Sequence, residues 1–312
     1  IFSLVCSCMK KAFIQLHIAV FLAGFTGILG RLIDLNEGLL VWYRLLITSV
    51  TMWILFAITK KLRKIAWKDI LQLSGIGFLA ALHWVTFYGS VKVANVSVAL
   101  VCFSSVGFFT ALVEPLLLRV RFKWMEMLLG LVVMAGIYLI FHFDPLYKTG
   151  IILGITSSML IAIVIILLKQ VMKRINPETA LTYQLSGGFL ALTAVMPFYL
   201  YWFPTRYLIP DANDWFWLLV LAWLCSVVAF QFSAYALRKL SAFTVNLTFN
   251  MEPVYGIILA FMVYRENELL SKWFFIGFAM IAAALAIHVW VLMREHRQKK
   301  LNETHGIPSA NH

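Results

Sequence analysis

Long apolar runs, separated by short polar connections, occupy most of the chain. Each of ten runs holds roughly 20 mostly apolar residues, the length that an α-helix needs to cross the hydrocarbon core of a bilayer. In lipid, backbone polar groups must pair within their own segment, so the runs are predicted to be helices; they are too long and too uniformly apolar for β-barrel strands. The predicted spans are 12–30, 38–59, 70–91, 93–118, 124–143, 149–168, 179–203, 215–237, 241–264 and 272–293. The fold class is therefore an all-α membrane protein with ten transmembrane helices.

Composition excludes several function classes. Of the 312 residues, 62% are hydrophobic and 13% are charged, whereas soluble domains are about half apolar and a quarter charged. This balance argues against a water-soluble enzyme, a disordered regulator and a disulfide-stapled domain. The four cysteines, Cys6, Cys8, Cys102 and Cys225, have no metal-ligand spacing, so no metal site is predicted.

The net charge of +12 is explained by where the cations lie. If the N-terminus is cytoplasmic, the inner connections hold 19 of the 26 Lys and Arg residues, and the outer connections hold 6. Basic loops mark the cytoplasmic side, where they face anionic lipid. The distribution predicts both termini in the cytoplasm and no nucleic-acid partner, and the expected location is the plasma (inner) membrane, as a multi-pass protein.

Both ends of the chain carry expectations of their own. Met9 followed by Lys10 and Lys11 resembles a natural start, so residues 1–8 are expected to be an over-extension or a fragment edge; a cleaved signal peptide is the competing interpretation. The polar segment 296–312 is predicted to be a disordered cytoplasmic tail.

A weak internal repeat divides the spans into two sets of five. At an offset of 140 residues, Tyr43 aligns with Tyr183 and Arg44 with Gln184; at an offset of 146, Trp84 aligns with Phe230. Five is an odd number, so the second copy must be inverted in the membrane, as in many secondary transporters. The predicted repeats are 10–148 and 149–295. Chance similarity between apolar helices is the alternative.

Three stretches carry a resemblance to a known family. They are EPVYGIILAFMVYRE (252–266), WYRLLITSV (42–50) and ALHWVTFYGSVKVANVSVAL (81–100). Together they resemble the EamA branch of the drug/metabolite transporter superfamily over essentially all of residues 10–295. The chain departs from the pattern in its first half, where Val106-Gly107 stands opposite Glu252-Pro253 and Val120 stands opposite Glu266.

The resemblance implies a carrier with alternating access. Helices 1–4 and 6–9 would line a central cavity, and helices 5 and 10 would be peripheral. Members of the family move small metabolites, often exporting amino acids and related compounds, and relatives carry nucleotide sugars or sugar phosphates. The resemblance implies no cofactor.

The position of Glu252 and Pro253 suggests a role in transport. Glu252 is near the middle of its span, and Pro253 removes a backbone N–H and is predicted to break the helix there. A broken helix at the membrane midplane leaves backbone groups free to face a cavity. Glu252 is a candidate for binding a substrate ammonium or for coupling transport to a proton; a structural acid is the alternative.

Other polar groups inside the spans are candidates for binding substrate. Arg44 could bind a carboxylate or phosphate with two hydrogen bonds, or it could snorkel or pair with a neighbouring helix. The remaining candidates are Tyr183 and Gln184, His83, Trp84 and Tyr88 on helix 3, Gln231 and Tyr235 on helix 8, and Asn246 and Asn250 on helix 9. Hydrogen bonding between helices is the alternative for each polar side chain.

These patterns favour a secondary transporter that exports or exchanges a small polar metabolite, with amino-acid-like cargo preferred. A sugar-phosphate or nucleotide-sugar exchanger would need several cations to bind phosphate. An integral-membrane enzyme or a non-transporting scaffold is the alternative of another class. The expected partners are a small-molecule substrate and the lipid bilayer, and assembly of two copies is left open.

Overall fold

In the computed structural model the chain folds into α-helices connected by short turns. The structure describes the backbone of residues 2–143, 145–205, 207–240 and 242–304, with the side chains of 2–9, 143, 242–243, 246–247, 292 and 295–304 left undescribed. The helices are α1 (Phe2–Leu32), α2 (Glu37–Ile58), α3 (Trp67–Val93), α4 (Val96–Phe103), α5 (Val106–Leu118), α6 (Trp124–Phe143), α7 (Lys148–Val171), α8 (Pro177–Trp202), α9 (Ala212–Ala222), α10 (Ala229–Lys239), α11 (Ala242–Phe249), α12 (Glu252–Tyr264) and α13 (Lys272–Thr304).

These helices confirm the all-α, multi-spanning architecture. Within the described ranges, nine segments are long and apolar enough to cross a membrane, counting α4 and α5 together and α9 and α10 together. The tenth span consists of α11 and α12, of which α12 is a shorter apolar helix. Large apolar side chains such as Leu128 on α6 and Trp290 on α13 are exposed, which suits surfaces that face lipid tails.

Three predicted spans differ in detail from the helices observed. The run 93–118 is not one helix, because the chain turns at Ser104 and Ser105 between α4 and α5. The run 215–237 contains a π-helical turn, Trp223–Val228, between α9 and α10. The break in the run 241–264 precedes Pro253, which lies in the first turn of α12, where a missing N–H costs no hydrogen bond.

The helix boundaries display the internal repeat more clearly than the residue identities do. The helices α11 and α12 begin and end 146 residues after α4 and α5, respectively. Each pair then ends in an arginine with a left-handed backbone, Arg119 at φ 53° and Arg265 at φ 52°. The two halves are therefore repeats of five spans, and the odd number of spans inverts the second relative to the first.

Contacts between the halves arrange the spans around a centre. The helix α3 packs against α7 and α8, while α1 packs against α10 and α12. Glycines permit the close approaches: a Cβ placed on Gly77 would lie 1.9 Å from the carbonyl oxygen of Gln184, and one on Gly24 would lie 2.8 Å from that of Glu252. Small residues at helix contacts are typical of membrane bundles.

The helices α6 and α13 pack against each other. Gly136 and Gly277 form their contact, since a Cβ on Gly136 would lie 2.8 Å from the carbonyl oxygen of Gly277. The helix α13 continues to Thr304, so helical backbone extends into the segment 296–312 for which disorder was predicted, and residues 305–312 lie outside the described residues.

Candidate functional site

A cavity of about 200 Å³ lies between the two halves. We call it the arginine cavity. Its lining residues come from α2, α3, α8, the π-helical turn and α10: Arg44, Leu45, Thr48, Met52, Trp84, Leu181, Leu185, Cys225, Ser226 and Phe230. Trp84 and Phe230, which are aligned by the internal repeat, therefore line the same cavity. Most of the wall is apolar, and Arg44 is the one cation among its described lining residues.

Arg44 is held in place by neutral partners. Its side chain is buried, with 6% of the residue exposed. Nη1 donates to the Tyr88 hydroxyl at 2.8 Å, and Nε and Nη2 donate to Ser226 Oγ at 3.2 and 3.1 Å. The guanidinium carbon lies 4.4 Å from the centre of the Trp84 ring, a cation–π distance. No carboxylate of the described residues lies within 4.0 Å of the guanidinium.

The π-helical turn explains why Ser226 reaches Arg44. The Ser226 hydroxyl donates to the carbonyl oxygen of Leu221, five residues earlier, at 3.2 Å. A π-helical turn shifts the face on which the following residues lie, and such turns occur frequently at functional sites. Here the turn places Cys225 and Ser226 on the cavity wall. A regular helical period does not predict this placement, so the sequence analysis missed both residues.

Glu252 lies at the second helix break, outside the lining of the arginine cavity. It is the first residue of α12, it is half-buried, and its carboxylate interacts electrostatically with Arg44. The helix α1 covers the break, because Gly24 approaches the Glu252 carbonyl closely. No cationic group of the described residues lies within 4.0 Å of the Glu252 carboxylate, so the carboxylate forms no ion pair with them.

A second cavity, of about 270 Å³, lies near the predicted cytoplasmic end. We call it the glutamine cavity; it is lined by Gln15, Lys61, Gln231, Phe232, Ala234, Tyr235 and Arg238. The structure thus brings the candidates Gln231 and Tyr235 together, away from Arg44. The two cations of this cavity have a partner, because Arg238 donates to Glu178 and Lys61 lies 4.0 Å from the same carboxylate.

Three other candidates line neither cavity. His83 Nδ1 lies 2.8 Å from Ser157 Oγ on α7, which joins α3 to α7. The Tyr183 ring packs edge-on against Trp53 with a centroid distance of 5.2 Å. Gln184 is buried, and its side-chain oxygen has no hydrogen-bond partner among the described residues.

The last two candidates are on the broken ninth span. Asn250 lies in the turn between α11 and α12 and is partly buried. The side chain of Asn246 lies outside the described residues, so its predicted role stays a prediction.

Thr48 is a further group that the sequence analysis missed. It follows Arg44 by one turn of α2 and lines the arginine cavity. Its hydroxyl is buried without a hydrogen-bond partner among the described groups. The spacing of four residues from Arg44 was a signal that could have identified it, because residues four apart share a helix face.

Comparisons with known proteins agree with this architecture. The EamA-like transporter family matches residues 10–142 and 148–288. An uncharacterized transporter from Archaeoglobus fulgidus is 26% identical over 221 residues, which are 70% of this chain and 76% of that protein. A solved crystal structure is similar with a TM-score of 0.60 and 16% identity, over 93% of this chain and 98% of that one, which supports the fold alone. The chain therefore belongs to the EamA-like transporter family, and each of its two halves matches that family.

Proposed function

We propose that the protein is a secondary transporter that exports or exchanges small polar metabolites, with amino-acid-like cargo, by alternating access around the arginine cavity. The observation that carries the proposal is a buried Arg44 on the wall of a cavity formed by both halves, with no carboxylate partner among the residues that the structure describes. An unpaired charge inside a membrane bundle is expensive and is typical of a substrate or ion pathway. Rocking of one half against the other would expose such a cavity to each side in turn.

The main alternative is exchange of a sugar phosphate or nucleotide sugar. A phosphate group carries more charge than a carboxylate and is usually bound by several cations. Among the described lining residues, Arg44 is the one cation of the arginine cavity, and Lys61 and Arg238 of the glutamine cavity are already close to Glu178. This distribution favours a substrate with a single carboxylate.

The orientation belongs to the same proposal. The glutamine cavity, with Lys61 and Arg238, would face the cytoplasm, and both termini would lie on that side of the plasma membrane. The asymmetric distribution of Lys and Arg along the chain supports this orientation.

A comparison of metabolites tests the function without a prior choice of cargo. The culture medium of cells that overproduce the protein is compared with that of cells that lack it. We expect at least one small amino-acid-like compound to accumulate outside the overproducing cells and to decline outside the deficient cells. The proposal would be wrong if purified protein in liposomes moved none of the compounds whose external level had changed.

We propose further that Glu252 couples transport to protons. Its support is a half-buried position at a helix break near the middle of the bundle, together with its electrostatic interaction with Arg44. Uptake or release by liposomes is measured between pH 5 and 8, and Glu252→Gln is expected to lose the pH dependence of the wild type. An unchanged pH profile would contradict proton coupling and leave the transport proposal standing.

A matched control for Glu252 is available. Glu114→Gln changes a half-buried acid of α5 that pairs with Lys169 at 3.3 Å. This variant should retain the wild-type pH profile, because Glu114 lines neither cavity.

A further inference from the structure

The guanidinium of Arg44 has hydrogen-bonding capacity to spare. An arginine side chain carries five N–H donors. Three of them are used, by Tyr88 on Nη1 and by Ser226 on Nε and Nη2. One donor therefore remains on each of the two terminal nitrogens. Two such donors in one plane match the two oxygens of a carboxylate.

The surroundings fix the guanidinium, and the described residues place no carboxylate within 4.0 Å of it. Trp84 covers one face of it at 4.4 Å, and the bonds to Tyr88 and Ser226 hold its edge. Glu252 interacts with it electrostatically, but the two side chains do not form an ion pair within 4.0 Å. A ligand with one negative charge would supply the missing counterion, which lowers the cost of keeping Arg44 buried.

Thr48 provides an independent indication of a ligand. Its hydroxyl lines the same cavity, only 2% of the residue is exposed, and no described group bonds to the hydroxyl. Buried polar groups are nearly always hydrogen-bonded, so an unpaired hydroxyl at a cavity wall indicates a missing partner. Thr48 lies one helical turn from Arg44. If Arg44 binds a carboxylate, an amino or hydroxyl substituent next to that carboxylate would be placed to bond to the Thr48 hydroxyl.

The remaining wall restricts the body of the ligand. It consists of Leu45, Met52, Leu181, Leu185 and Phe230, with Cys225 beside Ser226. At about 30 Å³ per water in the liquid, 200 Å³ holds roughly seven waters. A branched aliphatic amino acid is of suitable size for this space and has an apolar side chain for this wall.

We propose that the arginine cavity is a binding site for a small monocarboxylate with an apolar side chain. The two free N–H groups of Arg44 bind the carboxylate, Thr48 bonds to its polar substituent, and the leucines and Phe230 contact the side chain. The inference rests on the proposed transport function and names its substrate class.

Cys225 on the cavity wall allows a direct test. In the full-length protein with Cys6, Cys8 and Cys102 replaced by serine, Cys225 is the only thiol. Its rate of reaction is measured with an anionic reagent, sulfonatoethyl methanethiosulfonate, and with a cationic one, trimethylammonioethyl methanethiosulfonate. We expect the anionic reagent to react about tenfold faster relative to its rate with a free thiol, because Arg44 attracts it.

Protection by ligands identifies the chemistry. L-Leucine and hexanoate should each slow the modification of Cys225, whereas L-leucinamide, which lacks the carboxylate, and glucose 6-phosphate should not. Arg44→Gln should weaken protection by leucine about tenfold or more and abolish the preference for the anionic reagent, because hydrogen bonds to charged groups are the strong ones. Arg121→Gln, in an exposed loop, is the matched control and should behave like the parent.

A second variant tests the site even if Arg44→Gln does not fold. Leu181→Trp fills the apolar part of the cavity and leaves Arg44 unchanged, so it should abolish protection by leucine. If leucinamide protects as well as leucine, if the cationic reagent reacts faster, or if neither reagent reacts with Cys225, the inference is wrong.

Counterflow of leucine and of leucinamide in liposomes separates this inference from the proposed function. Protection of Cys225 by carboxylates without transport of any protecting compound would retain the site and overturn the transport function. Equal transport of leucine and leucinamide would retain the function and overturn the carboxylate site.

Discussion

The two broken spans have the same backbone and opposite chemistry. Between α4 and α5 the turn consists of Ser104 and Ser105, and hydroxyl groups satisfy its carbonyls: Ser105 and Ser158 both donate to the Cys102 oxygen, at 2.7 and 2.9 Å. Between α11 and α12 the turn consists of Asn250 and Met251, and a carboxylate follows it at Glu252. One break is neutral and closed by hydrogen bonds, while the other carries an acid within electrostatic reach of Arg44.

The ends of these spans differ in the same way. Glu266 follows the end of α12, is fully buried, and accepts hydrogen bonds from the backbone N–H groups of Val96 and Ser97 at the start of α4. It also pairs with Arg31 at 2.6 Å. The repeat places Val120 at the equivalent position of the first half. Glu266 of the second half thus caps α4 of the first half. Equivalent positions of the two repeats can therefore carry side chains of different charge on the same backbone.

The largest expected effect comes from forcing α1 away from the second break. Gly24→Val would bring a Cβ to 2.8 Å from the Glu252 oxygen and 2.9 Å from the Gly256 nitrogen. Because both neighbours are backbone, the helices must separate, and we expect a loss of about 3 kcal/mol in stability. Thermal unfolding in detergent measures it. Gly75→Val, where the added Cβ has no neighbour within 4 Å, should change stability by less than about 1 kcal/mol.

Removing the charge that caps α4 should have the next largest effect. Glu266→Gln weakens acceptance from two backbone donors and from Arg31, so we expect a loss of about 2 kcal/mol. The same unfolding assay measures it. The nearby exposed Glu268 supplies the control, Glu268→Gln. Equal stability of the two variants would mean that Glu266 does not hold the first broken span to the second half.

A smaller change tests the hydroxyl groups at the first break. Ser158→Ala removes a buried hydroxyl that lies 2.9 Å from the Cys102 oxygen and 2.9 Å from the Gly154 oxygen of its own helix, and hydrogen bonds between membrane helices contribute about 0.6 kcal/mol on average. We expect a loss of that order. Ser233→Ala, whose hydroxyl donates to Ala229 of its own helix, should lose less. The reverse order would show that the bond to Cys102 is not what stabilises the turn.

The smallest effect is expected at Pro253. The first span breaks with Gly107 at the equivalent position, so a proline is not needed for the turn. Pro253→Ala should retain the break and lower stability by less than about 1 kcal/mol, mainly through the unfolded chain. Transport assays and thermal unfolding should both be close to the wild type. Loss of transport by a stably folded Pro253→Ala variant would show that the proline does more than begin α12.

The lengths of the apolar runs predicted the helical architecture well, because the constraints of lipid act locally. Each span must satisfy its own backbone and be apolar for about 20 residues, so its position can be read from the chain. The break between α4 and α5 could not be predicted from the sequence, because its serines lie in an otherwise apolar run and donate to backbone carbonyls. The π-helical turn could not be predicted either, since it changes the helix phase without a change of composition.

The structure places the predicted site residues in several different surroundings, and their roles in binding stay predictions. Arg44 and Trp84 line the arginine cavity, and the Tyr88 hydroxyl accepts a hydrogen bond from Arg44. His83 contacts α7, and Gln231 and Tyr235 line the glutamine cavity. A polar residue in an apolar helix indicates that it has a partner, but its neighbours decide whether that partner is a helix or a cavity.

The sequence by itself determined that the chain is a helical membrane protein with two related halves, because hydrophobic length is a local property. Only the tertiary structure decided that Arg44, Thr48 and Ser226 share one cavity while Glu266 caps a helix of the opposite half. Those contacts join segments up to about 180 residues apart. They depend on how the two inverted halves pack, and no single span contains that information.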